Sequence, residues 1–150
     1  MDWCDAYAYC AAQGKSLCGR PAGGPAPFGS AHHANSSAWT AACSSGGEYT
    51  YPYGDTWDVK SCATGTALRV VGSMPECQSP DPAYAGVFDM SGNLWEWEDA
   101  CDFPFGQDDT CQARGGSYAE WDSILSSCFY AREEKRNAFN GRVGFRCCKY

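Results

Sequence analysis

Apolar residues recur at helical spacing only near the start of the chain. Trp3, Ala6, Tyr7 and Cys10 fall at i, i+3, i+4 and i+7, which predicts an amphipathic helix over Asp2 to Gln13. Asp2 is placed to cap it, and Gly14 suits the position just past its end. Lys15 to Cys18 follows as a short extended piece. The run from Gly19 to Ser30, rich in glycine and proline, reads as a loop. A second, shorter helix is expected from a Ser36 or Ser37 cap through Trp39 to Cys43, stopped by Gly46-Gly47.

Beyond that point the pattern changes. Tyr49 to Gly65 alternates aromatics with turn residues, and Leu68-Arg69-Val70-Val71 reads as a strand. Met74 to Ala85 is a proline-containing loop, and Gly86 to Trp97 holds a turn around Ser91-Gly92-Asn93. Strand-like pieces follow at Ala113–Ala119, Cys128–Arg132 and Val143–Cys148. No repeat and no low-complexity tail occur. Two helices followed by irregular antiparallel strands predict an α+β domain, with 1–150 as one unit.

Composition narrows the class. Of 150 residues, 44% are hydrophobic and 15% aromatic, enough for a packed core, while 17 glycines and 8 prolines favour a loop-rich fold. Eleven cysteines argue for a disulfide framework and thus an oxidising setting: secreted, periplasmic or cell-surface. Zinc sites favour Cys-x2-Cys pairs, and none is present. A net charge of −7 argues against nucleic acid, whose binding rests on neutralised phosphates. No apolar run of 18 residues occurs that would predict a membrane span. Met1-Asp2-Trp3-Cys4 already reads as folded domain, so export implies a longer precursor.

The segment Gly86-Val-Phe-Asp-Met-Ser-Gly-Asn-Leu-Trp-Glu-Trp97 is the most informative. With Asp2-Trp-Cys-Asp-Ala-Tyr-Ala-Tyr-Cys10 and Gly14-Lys15, Tyr51-Pro-Tyr-Gly-Asp55, Arg114-Gly-Gly-Ser-Tyr118 and Gly144-Phe-Arg-Cys147, it sets five motifs in order across nearly the whole chain. Together they resemble the formylglycine-generating enzyme, or sulfatase-modifying factor, family, a variant of the C-type lectin fold. That domain normally continues upstream of Trp3, so the resemblance implies an N-terminally trimmed chain.

The resemblance implies bridges Cys10–Cys147 and Cys43–Cys128. Proximity suggests Cys62–Cys77 and Cys101–Cys111 as local staples. Cys4, Cys18 and Cys148 remain, an odd set, which admits either a free buried thiol or a partner upstream. In the family's enzymes two cysteines just after Gly-Gly-Ser-Tyr bind copper and oxidise a substrate cysteine. Those places fall here at Glu120 and Leu125, and neither side chain is the soft thiolate that Cu(I) requires, so no copper is expected.

The family also holds Ca²⁺ in the turn before Trp-x-Trp. Carried over, Asp89 and Glu96 would give carboxylates, and Gly92 and Leu94 carbonyls, the hard oxygen ligands calcium takes. The family's second calcium site uses an asparagine where this chain reads Cys62-Ala63-Thr64-Gly65, so it is expected to be lost.

Other candidates carry less. Glu96, Glu98, Asp99 and Asp102 read as a solvated acidic strand end rather than a glycosidase pair, and His32-His33 as an exposed loop. Trp3, Trp39, Trp95 and Trp97 read as core, and Trp57 and Trp121 as contact candidates. Arg132, Arg136 and Arg142 read as a solvated basic rim. The expected function is a non-catalytic, calcium-stabilised module that binds a protein, peptide or glycan in a groove near Tyr118, Glu120 and Trp121. The alternative is an oxidoreductase acting on protein cysteine.

Overall fold

A computed structural model of the protein describes residues 1–104 and 106–150. Helix α1 spans Trp3–Ala12. Its start is fixed by a reciprocal cap: the Asp2 carboxylate accepts from the Asp5 amide at 2.9 Å, and Asp5 returns the contact to the Asp2 amide. Gly14, at φ +65°, takes the left-handed turn past the end. Trp3, Ala6 and Cys10 form the buried face. Tyr7 lies at its margin, 47% exposed, with its ring stacked on Trp3. Helix α2 is Ala38–Cys43, capped by Ser37, whose Oγ accepts from the Thr40 amide.

Strands β1 (Ser16–Leu17) and β6 (Cys147–Cys148) pair antiparallel, so the first and last parts of the chain meet. The main sheet holds β2 (Trp95–Cys101), β3 (Thr110–Arg114), β4 (Ala131–Lys135) and β5 (Val143–Phe145) in the order β4-β3-β2-β5. The β2–β5 pair is parallel, so the antiparallel expectation fails there: the chain returns to the edge of β2 through a long connection rather than a hairpin.

Five disulfides staple this frame. Cys10 joins Cys147, Cys43 joins Cys128, Cys62 joins Cys77 and Cys101 joins Cys111, the four pairs considered above, and Cys18 joins Cys148. Of the three leftover cysteines, two therefore pair with each other. Cys4 alone is free, and it is exposed on α1.

The core has two centres. Trp3, Ala6, Cys10 and Leu17 pack on Trp95, Trp97, Ala113 and Val143 between α1 and the sheet. Trp39 and Cys43 of α2 pack on Met90 and Cys128. Trp39, Trp95 and Trp97 are each at most 1% exposed, and truncating such a side chain costs about 3–5 kcal/mol.

Several local expectations need correction. Leu68 to Val71 is not a strand: Leu68, Val70 and Val71 are 56%, 80% and 78% exposed, with no partner strand among the described residues. A β-branched run predicts a strand only where an edge is available to pair with. The Ala113–Ala119 piece is β3 only as far as Arg114, because Gly115 and Gly116 turn left-handed. The Cys128–Arg132 piece starts later, at Ala131. Glu98 is not solvated but 1% exposed, held by Arg114. Arg136 is no rim residue: it is 6% exposed, with its guanidinium 4.5 Å from the Trp3 ring centroid.

Candidate functional site

The turn before β2 is built on left-handed backbone at Asp89 (φ +59°), Gly92 (φ +72°) and Asn93 (φ +60°). Asp and Asn tolerate that region because their side chains bond locally, whereas Gly92 has a second constraint. A Cβ at Gly92 would strike the Ala63 carbonyl, so only glycine lets the two loops approach.

Hydrogen bonds make this turn a hub. The Gly92 amide donates to Gly115 O at 2.7 Å and the Asn93 amide to Ala63 O at 2.8 Å. The Arg69 amide donates to Asn93 Oδ1 at 3.0 Å, and the Tyr118 amide to Asn93 O at 2.9 Å. Two segments far apart in sequence, 63–69 and 115–118, are thereby locked around 89–93.

Asp89 and Glu96 line one small cavity of about 190 Å³ together with Asn93, Leu94 and Arg146. Asp89 Oδ2 accepts from the Gly72 amide at 2.7 Å, while its Oδ1 is buried with no partner among the described residues. Glu96 is gripped by Arg146, with Nε to Oε2 at 2.5 Å and Nη2 to Oε1 at 2.6 Å, and Trp39 Nε1 adds a third donor at 2.8 Å. Burial works against the Arg146 charge, but the Glu96 carboxylate outweighs it and raises its pKa.

One feature would suit a hard cation, the buried Asp89 Oδ1 that lacks a proton donor, whereas both oxygens of Glu96 are already taken by Arg146. No three His, Cys, Asp or Glu side chains converge as a metal cluster among the described residues, so a cation here would need main-chain carbonyls such as those of Gly92 and Leu94.

The second part of the site follows β3. Glu120 folds back onto its own turn, with Oε2 accepting from the Ser117 amide at 3.0 Å and from the Ser117 hydroxyl. Trp95 Nε1 donates to Glu120 Oε1 at 3.2 Å. Both carboxylate oxygens are thus engaged in holding the loop. Leu125 packs against the core, and Cys128 is fully buried in its bridge to Cys43. The one free thiol, Cys4, has its pKa raised by partial burial, with Asp2 adding to the shift and Arg136 opposing it.

Trp121 is 67% exposed and lies against Gly65, where a Cβ would run into the indole. Tyr118 is half-buried, its carbonyl accepting from the Thr66 amide at 2.8 Å. Tyr118, Glu120 and Trp121 therefore share one loop beside 65–66, with Ile124 also exposed, at 66%. Trp57 contributes less than expected, being half-buried with an enclosed Nε1. The imidazoles of His32 and His33 are exposed and meet only each other, edge to face.

Two functional contacts escaped sequence reasoning. Arg146 lies inside Gly144-Phe-Arg-Cys147, and no local spacing pairs it with Glu96, which lies 50 residues earlier. The Cys18–Cys148 bridge was signalled by the Cys147-Cys148 pair, since adjacent strand residues face opposite ways and take different partners.

A helix tied to the last strand, a small mixed sheet and long bridged loops around a left-handed turn define a disulfide-rich α+β protein of the C-type lectin-like, formylglycine-generating-enzyme type. The whole chain, residues 1–150, matches the sulfatase-modifying factor enzyme 1-like domain, and the chain belongs to that family. Among solved structures it is similar to CarF (17% identity, TM-score 0.66, 98% of this chain and 64% of that one). It is similar likewise to PvdO from Pseudomonas aeruginosa (19% identity, TM-score 0.66, 97% and 58%). The chain thus spans about three-fifths of these relatives. No curated protein matches it at the sequence level.

Proposed function

We propose that this domain is a non-catalytic binding module of an oxidising, extracytoplasmic compartment, folding as one unit and stabilised by calcium. The observation that carries the reading is Glu120. At the place where the family's enzymes carry a copper-binding cysteine stands a carboxylate already committed to Ser117 and Trp95. Leu125, at the second place, offers no donor, and the thiol nearest in sequence, Cys128, is oxidised. Without a soft ligand pair the cleft lacks the means to bind Cu(I) and oxidise a thiol.

What the same loops offer instead is surface. The Trp121 indole, seated on Gly65 and open on its other side, is suited to stacking on an apolar or sugar face of a protein, peptide or glycan ligand. Tyr118 and Glu120 would flank it. At the adjoining turn, Asp89 with the Gly92 and Leu94 carbonyls would hold the calcium ion, and Glu96 would join them only by giving up one of its bonds to Arg146. The ion's charge would satisfy Asp89 Oδ1 and fix the hub from which the loop at Tyr118 hangs. Five disulfides match an oxidising setting.

The test is direct. The folded chain, supplied with copper, oxygen and a sulfatase-type cysteine peptide, should produce no formylglycine by mass spectrometry. Product above a no-protein control would overturn the reading.

A further inference from the structure

A cavity of about 450 Å³ lies apart from the turn and the Trp121 loop, between α1, the loop after β1 and the far end of β2. That volume is in the range of small-molecule sites. Trp3, Tyr7, Phe28 and Phe103 supply aromatic walls, and prolines fill the spaces between them. Into this bowl the sheet delivers one carboxylate, Asp99, and two guanidiniums, those of Arg20 and Arg136, also border it.

The Asp99 backbone is pinned on both sides. Its amide donates to Cys18 O at 2.8 Å, and its carbonyl accepts from the Ala26 amide at 2.7 Å. Its carboxylate meets no donor and no ion-pair partner among the described residues, and it is half-buried. Arg136 lines the same cavity and acts on Asp99 without a direct ion pair: its guanidinium sits over Trp3, donates to Phe103 O at 3.1 Å and pairs with Asp109 at 3.4 Å, which offsets its charge. Arg20 stands exposed at the mouth. A smaller cavity of about 200 Å³ shares Tyr7, Pro25 and Asp99 with it and is also bordered by the exposed Lys15.

We infer that the larger cavity is a binding site for a small organic amine, an apolar or aromatic body carrying one protonated nitrogen that Asp99 accepts. Three alternatives fit worse. An anion would meet Asp99 head-on, and a neutral apolar ligand would strip water from a carboxylate without replacing it. A metal ion would find one carboxylate among carbon walls, too few oxygens for calcium and no nitrogen or sulfur for softer ions. An ammonium gains the carboxylate, and of the aromatic walls Phe28 and Phe103 are left for it, since Tyr7 and Arg136 already lie against the Trp3 ring. The site does not depend on the loop at Tyr118 or on calcium.

The experiment uses the intact, disulfide-bonded chain at pH 7.5 and two probes of the same shape, phenethylamine and 2-phenylethanol, titrated by calorimetry. The amine should bind at least tenfold more tightly than the alcohol. Asp99→Asn, which keeps the size and the backbone contacts, should reduce that preference to near unity while the protein stays folded. Phe28→Ala should weaken both probes together and leave their ratio unchanged. Equal affinity of the two probes for the parent protein would overturn the assignment, as would undetectable binding of the amine at millimolar concentration. A preference that survives Asp99→Asn would overturn it equally.

Discussion

Arg114 donates through Nη1 to Glu98 Oε2 at 2.8 Å in a place where neither side chain is more than 1% exposed. The pair is the centre of a larger net. Arg114 Nη2 also donates to Ala31 O, Thr40 Oγ1 and Cys128 O, and Glu98 Oε1 accepts from Ser37 Oγ at 2.5 Å. One ion pair therefore ties β2 and β3 to the cap of α2 and to the bridge at Cys128. Removing one partner strands the other charge in the core. Glu98→Gln should cost about 3–5 kcal/mol in denaturant unfolding, and the double variant Glu98→Gln/Arg114→Met less than the sum of its singles. Strict additivity would show that the two groups act independently.

The disulfide frame predicts a distinctive chemical map. Non-reducing peptide mapping should find neighbours Cys147 and Cys148 bonded to different partners, Cys10 and Cys18. Only Cys4 should accept an alkylating label before reduction. The Cys10–Cys147 bridge spans 137 residues, and replacing it by two serines should cost about 2–5 kcal/mol. A labelled Cys148 in the native protein would contradict this pairing.

Calcium should raise the melting temperature and EDTA should lower it, since a ligand that binds only the native state stabilises it by mass action. The informative variant is Asp89→Asn. Asparagine tolerates φ +59° and can still accept from the Gly72 amide, so the turn is retained while a charge is lost. The calcium dependence of the melt should vanish in that variant. Identical melts of the parent with calcium and with excess EDTA would remove calcium from the account.

Asp99 predicts a pH effect of definite sign. Burial pushes its carboxyl from the ordinary 3.8 up to about 6, against the opposing pull of Arg136 and with a smaller push from Glu98. Arg20 and Lys15 also border it, and Tyr7 and Tyr150 stand close by. A raised carboxyl pKa means that the native state holds the proton more tightly than the unfolded chain. The stability this contributes is complete below about pH 4 and is lost as pH rises through 6. Asp99→Asn should therefore be more stable than the parent at pH 7.5, by about 1 kcal/mol once solvent screening of a half-buried group is allowed for. The gap should close as pH falls towards 4. A variant less stable at every pH would mean that the Asp99 charge is satisfied in the native state.

Much of this protein is written locally. Asp2, the Trp3/Ala6/Cys10 spacing and Gly14 determine α1 by themselves, because caps and helical periodicity act within one or two turns. Ser37 does the same for α2. The five motifs carry the family, and the proposal that Glu120 stands at one of the family's ligand positions rests on their spacing alone. The Leu68–Val71 run shows where local reading stops. Its strand propensity is real, but only the fold determines whether an edge is there to receive it.

What tertiary structure alone decided is which charges are buried and what they meet. Glu98 and Asp99 are neighbours in one acidic run, yet strand alternation sends Glu98 inward to Arg114 and leaves Asp99 facing a cavity made by α1 and a distant loop. Glu96, likewise, finds Arg146 only because β5 returns parallel to β2, fifty residues later. Sequence specifies a charge, but its energy depends on local dielectric and on partners that become neighbours only when the chain closes.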